Sequence, residues 1–396
     1  MSSSVTDVSR SRPPGTFPLT CERHQSIGSI ADAWDRLVPR DSPHLRAGFL
    51  KVIEHSGMVQ DPCYLMVYQG GQPAAVALAY TLMVDGAQTA TAARRRWIDW
   101  IRKRFPGFQR RPLRICGSPV GNAESGICFA PQLPASIRQQ AFHRIVQEVL
   151  HSTTIQQTMF FKEFPQEAVA EYASGLEKLG FFAVDPGPGT RLDLRWPSFD
   201  DYLGSMHKRY RARIRKDLKA AEALEFRLLD SFAELAPIAT PLYLNVIGHA
   251  EFTLQKATES FFAAVSDFDQ AKLLVARDRS TGEIAGVDLL LFGDTCMHNL
   301  YVGFDDATNE RFHTYFSLVE HSVRLAMENH CQVCYLGQAS YEFKSRLGAI
   351  PYPVTAYMKH RLWPVHYLLR SSRDRFYPTS DVVTHDVFHA EDGTDE

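Results

Sequence analysis

Apolar and polar positions along the chain follow a similar order of predicted elements twice. In the first half, two helical stretches lead into two apolar runs separated by Gly70-Gly71, which is the pattern of a β-hairpin. Apolar residues then recur with helical spacing, and Gly180 ends the last helix of this half. The predicted helices are 29–38, 45–56, 94–104, 134–150 and 166–179, and the predicted strands are 64–68, 74–84, 113–117 and 158–162.

The second half runs through a comparable series. Its longest periodic stretch, 310–329, places apolar residues on one face of a helix. Antiparallel strands, a long helix, a returning strand, a short helix and a last strand together predict an α+β layer architecture. The predicted helices are 205–223, 232–246, 259–268, 310–329 and 341–347, and the predicted strands are 190–194, 272–277, 284–292, 296–302, 332–336 and 354–360.

A breaker segment separates the two series. Residues 185–189 read Asp-Pro-Gly-Pro-Gly, the strongest run of turn-forming residues in the chain. We therefore expect an N-terminal domain at 19–185 and a C-terminal domain at 190–371. Residues 1–18 are rich in Ser, Pro and Arg and predict a disordered leader, while 372–396 predict a polar tail with an acidic end.

The totals agree with an ordinary globular protein of two domains. The chain has 396 residues, 45% of them hydrophobic and 22% charged, and its formal net charge of −2 gives no general attraction to nucleic acid. Its seven cysteines are scattered, so we expect a reducing cytoplasm rather than a disulfide-rich secreted fold. We find no signal peptide and no apolar run near the ~18 residues of a membrane span, which predicts a soluble, cytoplasmic protein.

Three segments carry a resemblance to a known superfamily. They are 207–229 (HKRYRARIRKDLKAAEALEFRLL), 282–306 (GEIAGVDLLLFGDTCMHNLYVGFDD) and 335–349 (YLGQASYEFKSRLGA). With the order of elements around them, they resemble the GNAT acyltransferases. The doubled order is similar to the FemAB-like N-acyltransferases, a group associated with peptidoglycan biosynthesis and recognition. The resemblance implies two tandem GNAT domains of the Fem type.

The same resemblance implies a reaction class. An acyl or aminoacyl group would pass to an amine by direct attack, without a covalent enzyme intermediate. The implied co-substrate is an acyl-CoA or an aminoacyl-tRNA, with no tightly bound cofactor. The implied partner is a small-molecule amine acceptor bound between the domains, with tRNA as a second candidate; the oligomeric state does not follow from these residues. A non-catalytic, degenerate GNAT pair that binds an anionic partner stays open as the alternative.

One loop departs from the superfamily's pattern. GNAT proteins hold the CoA pyrophosphate on backbone N–H groups of a glycine-containing loop before the long helix. The corresponding residues 304–311 contain no glycine and carry the carboxylates of Asp305, Asp306 and Glu310, which would repel a pyrophosphate. This departure favours a Fem-like donor or a donor bound elsewhere.

The pair Phe343-Lys344 stands where the Fem branch has a Phe-Lys pair. The resemblance implies that the Lys344 ammonium stabilises charge at the reacting carbonyl, an effect that a partly dry cleft strengthens. A solvated lysine on a short helix is the alternative. Glu342 is either a base or orienting group or an ordinary surface glutamate, and Tyr341 joins Phe343 as a candidate substrate-binding residue.

Two neighbouring predicted strands supply further catalytic candidates. His298 ordinarily titrates in the range a general base needs, although a strand histidine is more often structural. Tyr301 either donates a proton to the leaving group or packs in the core. Asp288 interrupts the apolar run GVDLLLF and needs a partner if buried, so it is either a member of an ion pair or a ligand for the substrate amine.

The predicted helix at 205–223 is strongly cationic. Apolar residues four positions apart indicate a docked helix with charged flanks, and the flanking cations are Lys208, Arg209, Arg211, Arg213, Arg215, Lys216 and Lys219. We expect Arg209, Tyr210 and Arg213 to bind substrate, with the arginines on its phosphates. A solvated charged face explains the same residues equally well.

Two other features have weaker meaning. Cys331 and Cys334 have the spacing of half a metal site, but side chains three apart on a strand point to opposite faces and no second pair exists, so no metal site is predicted. A second basic run surrounds Trp97 and Trp100, and it either extends the cationic surface or forms an ordinary exposed helix.

Overall fold

The computed structural model describes residues 18–85, 92–104, 110–120, 124–249, 254–377 and 382–389. Its strands are β1 (Leu19–His24), β2 (Gln60–Gln69), β3 (Gln72–Asp85), β4 (Arg110–Cys116), β5 (Ile127–Phe129), β6 (Thr158–Pro165), β7 (Phe182–Val184), β8 (Gly189–Asp193), β9 (Leu224–Leu229), β10 (Ala271–Asp278), β11 (Ile284–Phe292), β12 (Cys296–Phe304), β13 (Val333–Gly337), β14 (Ile350–Tyr352) and β15 (Val354–His360).

The α-helices are α1 (Ala31–Asp35), α2 (Ala47–Ser56), α3 (Ala92–Arg102), α4 (Ala135–Ser152), α5 (Gln166–Lys178), α6 (Phe199–Ser205), α7 (Lys208–Ala220), α8 (Ala236–Gly248), α9 (Glu259–Val265), α10 (Asp306–Phe312), α11 (Thr314–Glu328), α12 (Tyr341–Arg346), α13 (Trp363–Ser371) and α14 (Arg373–Phe376). No helix in the described ranges is both long and apolar enough to cross a bilayer.

Two mixed sheets organise these elements. The first has the spatial order β1-β2-β3-β4-β6-β15-β7, with β5 beside β3, and the second has the order β14-β8-β13-β12-β11-β10-β9. Pairing is antiparallel except between β4 and β6 and between β12 and β13. The predicted α+β class is confirmed.

The last long strand does not belong to the unit in which it was predicted. Residues 354–360 were predicted to complete it, but β15 lies in the first sheet, between β6 and β7. The strand is apolar on both sides, with Ala356, Tyr357 and Met358 buried, and such a strand fits the middle of either sheet. Apolarity alone therefore does not say which sheet it enters. The C-terminal unit predicted at 190–371 contributes this strand to its neighbour.

Three apolar cores stack along the molecule. One lies between the first sheet and helices α4 and α5, and another lies between the second sheet and helices α6, α7 and α11. The third is shared by the two units, because α2 of the first packs on α9 of the second, and α9 in turn packs on α8. The Phe49 ring lies 6.1 Å from Phe261 and 5.8 Å from Phe268 across this junction.

Part of the predicted polar tail is not a free tail. Residues 382–389 return to the second unit, where the backbone N–H of His207 donates to the Val387 carbonyl at 2.8 Å. The Phe388 ring packs on Trp196 with a centroid distance of 4.6 Å, and it lies so close to Gly348 that a Cβ there would stand 2.3 Å away. The apolar pair Val387-Phe388 makes this hydrophobic contact. Because the residues around the pair are polar, the sequence predicted only a polar tail.

Replacing Phe388 by alanine should lower the free energy of unfolding by about 2–3 kcal/mol, because burial of the ring against two aromatic side chains is lost. Chemical denaturation of the full chain measures this difference. Val383→Ala, on the same segment but exposed, should leave stability unchanged. Equal stability of Phe388→Ala and the parent protein would show that the segment is not docked.

Candidate functional site

A buried carboxyl group lies at the centre of the second unit. Asp288 on β11 is inaccessible to solvent, and its Oδ2 accepts hydrogen bonds from Asn299 Nδ2 at 2.5 Å and Ser322 Oγ at 2.6 Å. Its Oδ1 is buried with no hydrogen-bond partner among the described residues. Burial raises the pKa of Asp288 to about 7, against the smaller lowering effects of the two hydrogen bonds and of the nearby Lys344 charge.

Lys344 carries the positive charge that acts on this carboxyl group. The side chain on α12 is only 6% exposed, and its amine donates a hydrogen bond to the Leu336 carbonyl. Burial lowers the pKa of Lys344 to about 8, and the Asp288 charge acts in the opposite direction. The pKa values of the two groups therefore both lie near neutral pH. Burial makes Asp288 a weaker acid and Lys344 a weaker base.

The pair lies where two strands of the sheet part. β12 and β13 pair in parallel only from Cys296 to His298, opposite Val333 to Tyr335. Directly after this stretch, the register of β12 against β11 shifts between Asn299 and Tyr301. Lys344 bonds the residue that follows the last paired one on β13. Strands that separate leave backbone groups and space between them, which is where a ligand can enter a sheet.

Phe343 turns to the other side of α12, toward the cationic helix α7. It lines a small cavity of about 20 Å³, enough for one water-sized group. The aromatic side chains of the cavity are Tyr210, Phe316 and Phe343, and its charged side chains are Arg213, Asp217, Glu320 and Arg346. Three of the predicted substrate-binding residues, Tyr210, Arg213 and Phe343, are thus brought together, whereas Lys344 does not line the cavity.

Glu320 gives this cavity an unusual charge state. The side chain is buried, and neither carboxyl oxygen has a hydrogen-bond partner among the described residues. Burial, reinforced by the Asp217 charge, raises the pKa of Glu320 well above its ordinary value. Asp217 itself accepts from His313 Nδ1 at 2.6 Å and pairs with Arg213 at 3.2 Å. A small cationic or hydrogen-bond-donating group would satisfy the Glu320 carboxyl.

Glu342 and Tyr341 do not join the buried pair. Glu342 is half exposed and forms ion pairs with His385 at 3.0 Å and Arg346 at 2.7 Å. The His385 hydrogen bond, followed by that of Arg346, lowers the pKa of Glu342, which makes this carboxylate a poorer base. The Tyr341 hydroxyl donates to the Pro188 carbonyl at 2.9 Å and so ties α12 to the segment between the two units.

His298 and Tyr301 contact the first unit and the shared core rather than Asp288. Burial lowers the pKa of His298 to about 4, and its Nε2 lies 2.9 Å from the Asp41 carbonyl oxygen. Tyr301 packs into an aromatic cluster, 4.9 Å from the Tyr243 ring. Side chains on the two faces of a strand cannot meet, so neither residue approaches the Asp288 carboxyl.

The cations of α7 divide into two sets. Arg211 donates to backbone carbonyls at the end of α6, Arg213 pairs with Asp217, and Arg209 lies over the Tyr210 ring and donates to its hydroxyl at 2.6 Å. These three stabilise local structure in the absence of a ligand. Arg215 and Lys219 instead face a groove.

The groove between α7, β9 and α11 has a volume of about 590 Å³ and is strongly basic. Its cations are Arg215, Lys219, Arg279 and Arg324, against the single carboxylate of Glu222. None of the four lies within ion-pairing distance of a carboxylate in the described part of the chain. Phe226 and His321 stack at the groove with a centroid distance of 3.7 Å. We refer to this feature as the basic groove.

In the loop predicted to reject a pyrophosphate, an aspartate side chain occupies the helix N-terminus. The Asp305 carboxylate accepts from the backbone N–H of Thr308 at 3.0 Å and caps α10, and Asp306 lies 3.3 Å from His249. The predicted helix at 310–329 is divided at His313, whose φ of +53° separates α10 from α11. In the described ranges, no group of three or more His, Cys, Asp and Glu side chains is placed to hold a metal ion.

Sequence reasoning missed three residues of the site. Ser322 and Glu320 occupy positions of helical spacing within the apolar stripe of 310–329, and two polar residues in such a stripe were the available signal. Tyr315 was assigned only to that stripe. Burial raises its pKa to about 12, helped by the Asp288 charge, and its ring lies 5.4 Å from Phe343.

The raised pKa of Asp288 predicts a loss of stability with rising pH. An acid with a pKa of about 7 in the folded state, against an ordinary 3.8, stabilises the fold below pH 3.8 and loses that contribution as the pH rises through about 7. Asp288→Asn should remove a fall of about 4 kcal/mol across this window, measured by urea unfolding at a series of pH values. The exposed Asp374→Asn should keep it. An unchanged pH dependence in Asp288→Asn would contradict the assignment.

Comparisons with known proteins concern the family and the fold. Residues 205–345 match the family model described as an acetyltransferase (GNAT) domain, which spans α7, Asp288 and Lys344. Among curated proteins, the putative 8-amino-7-oxononanoate synthase 2 of Mycobacterium tuberculosis is 24% identical over 339 residues, which are 80% of this chain and 42% of that protein. The chain therefore spans less than half the length of the curated relatives it matches.

Solved structures resemble the whole two-unit arrangement. FemX matches with a TM-score of 0.57 and 11% identity, over 88% of this chain and 99% of that one. The C-terminal domain of a putative lysylphosphatidylglycerol synthetase from Agrobacterium fabrum matches with a TM-score of 0.53 and 11% identity, over 91% of this chain and 98% of that one. At these identities the likeness is one of fold. Residues 205–345 thus match an acetyltransferase (GNAT) domain, within a chain whose overall fold resembles that of FemX.

Proposed function

We propose that the protein transfers an acyl or aminoacyl group to an amine by direct attack, with Asp288 and Lys344 at the reacting centre. The observation that carries this proposal is the burial of a carboxyl and an amine close enough for each charge to affect the pKa of the other, with the pKa of Asp288 raised to about 7 and that of Lys344 lowered to about 8. Groups whose pKa values lie near the working pH are the most effective in proton transfer.

The roles follow from the chemistry of each group. Asp288, through its free Oδ1, accepts the proton that the amine loses as its nitrogen attacks the acyl carbonyl. Lys344, protonated at neutral pH, stabilises the negative charge that develops on the carbonyl oxygen, and its dry surroundings strengthen that interaction. Collapse of the tetrahedral intermediate breaks the bond to the leaving group, which takes up a proton. Tyr315, whose pKa the Asp288 charge helps to raise, replaces Tyr301 as the candidate proton donor to the leaving group.

The cavity beside Phe343 suits a cationic part of the acceptor. Glu320 offers two carboxyl oxygens without hydrogen-bond partners among the described residues, and the Tyr210, Phe316 and Phe343 side chains line the same cavity. The present volume admits a single ammonium-sized group. An acceptor with a second amino group, distinct from the one that reacts, therefore fits this side of α12. Arg213 pairs with Asp217. Only the part of its guanidinium that Asp217 does not contact can therefore bind a substrate.

The basic groove supports a donor that carries phosphates, which both an acyl-CoA and an aminoacyl-tRNA do. Four cations without ion-pair partners leave an excess of positive charge that a polyphosphate or phosphodiester chain would neutralise. The loop at 304–311 is a poor second choice, because Asp305 already occupies the helix N-terminus there. The same excess charge is the observation that favours a non-catalytic, anion-binding protein as the second candidate.

Lys344→Met should lower kcat by about tenfold or more, because charge on the reacting carbonyl oxygen loses its cation. The assay offers acyl-CoA or aminoacyl-tRNA donors with diamines and detects the amide product by mass spectrometry. The rising limb of the pH–rate profile should also move to higher pH, since loss of the Lys344 charge raises the pKa of Asp288.

Lys359→Met is the matched control. Its amine also donates to a backbone carbonyl, that of Leu179, but in the first sheet, so kcat should stay at the parent value. A Lys344→Met variant with full activity and an unshifted profile would remove the pair from the mechanism. Anion binding without turnover by the parent protein would favour the second candidate.

Arg215→Gln combined with Arg279→Gln should raise the KM for the donor about tenfold with little change in kcat, because two phosphate contacts in the basic groove are lost far from the reacting carbonyl. Calorimetry with CoA and with unfractionated tRNA identifies which donor class loses affinity. Lys208→Gln combined with Lys216→Gln removes two cations of the same helix that do not line the groove and should have a small effect. Equal losses of donor affinity in both double variants would show that the groove contributes only general electrostatic attraction.

A further inference from the structure

Exposed hydrophobic side chains are concentrated at one end of the first sheet. Twelve large hydrophobic residues are exposed in the described part of the chain, and eight of them lie on α3, at the start of α13 or in the adjoining strand ends. Trp97 and Trp100 on α3 are 53% and 69% exposed, and Trp363 and Tyr367 on α13 are 72% and 61% exposed. Scattered single residues of this kind are normal, but a cluster indicates a binding surface.

The strand register places the two helices at the same end. α3 joins the end of β3 to the start of β4, where Asp85 pairs with Arg110. The start of β6 at Thr158 pairs with His360, the last residue of β15, and α13 begins three residues later. β3 and β15 are three strand spacings apart, about 14 Å. The exposed Met83 and Ile155 lie in the strand end and loop at the same edge.

Cations accompany these apolar residues on both helices. The exposed basic side chains are Arg96, Lys103, Arg104, Arg361 and Arg370, and the exposed acidic ones are Asp99 and Asp374. Tryptophan and tyrosine rings with arginine and lysine at their margins are the composition of surfaces that lie in the headgroup region of a bilayer. A protein–protein interface concentrates its apolar area in one continuous patch with few charges at its centre, whereas here the aromatic side chains project from two separate helices among cations.

We propose that this end of the first sheet, formed by α3 and the start of α13, binds the surface of an anionic lipid bilayer. We name it the membrane-association face. Trp97, Trp100, Trp363 and Tyr367 enter the boundary between headgroups and acyl chains, and the flanking cations pair with lipid phosphates. Each helix lies on the membrane rather than crossing it. The face belongs to the first sheet, whereas Asp288 and Lys344 belong to the second unit, so membrane binding and the proposed reaction are independent.

Flotation of the full chain with vesicles tests the proposal. Vesicles of equal parts phosphatidylglycerol and phosphatidylcholine should carry the protein with them, pure phosphatidylcholine vesicles should carry much less, and added salt should release it. Trp100→Ser combined with Trp363→Ser should lower the partition coefficient about tenfold or more, since two large rings no longer enter the bilayer. Brominated lipids should quench tryptophan fluorescence in the parent protein and less in this variant.

Ile238→Ser combined with Leu244→Ser is the matched control, because both residues are exposed apolar positions on α8 of the second unit. That variant should bind vesicles as the parent protein does, and circular dichroism checks that both variants fold. Equal partitioning of the parent protein and the two tryptophan replacements would overturn the proposal. Failure to bind vesicles, together with self-association that the tryptophan replacements abolish, would also overturn it and assign the face to a second copy of the chain.

Discussion

Taking a carboxylate and an ammonium out of water is the constraint on which the second unit depends. Asp288 is fully buried on β11 and Lys344 almost so on α12, and burial opposes the charged form of each. Among the described residues, one oxygen of Asp288 has no hydrogen-bond partner, and the Lys344 amine donates to the Leu336 carbonyl. A pair in this condition costs stability, and it is tolerated because the rest of the unit supplies a large core around it.

The surrounding fold explains why the pair holds its place. The core beside α11 and α7 fixes the helix that carries Ser322, and the returning segment at 382–389 packs against α6 and α12. The core shared between the two sheets holds the opposite face of β11 and β12. The point at which the pairing of β12 and β13 ends is therefore held from both sides.

The sequence predicted most of the long helices and strands but not β1, β9 or α13, for identifiable reasons. Helices with strong periodicity, such as α4 and α7, and strands bounded by glycine turns, such as β2 and β3, follow from local pattern alone. β15 was predicted as a strand but given to the wrong sheet, because its pairing partners lie nearly two hundred residues away in β6. The docking of Phe388 is equally non-local.

Asp288 and Lys344 were both predicted as site residues, whereas Ser322 and Glu320 were hidden in an apolar helix face. The sequence also could not show which side chains of β12 lie on the same face as Asp288. The register shift next to Asn299 decides this.

Asp288 and Lys344 should titrate as an interacting pair near neutral pH. An isotope-edited infrared or carbon NMR titration of the Asp288 carboxyl, in the parent protein and in Lys344→Met, measures this directly. We expect an apparent pKa for Asp288 of about 7 in the parent protein and a higher value once the lysine charge is removed. A carboxyl that ionises near its ordinary 3.8 in both proteins would contradict it.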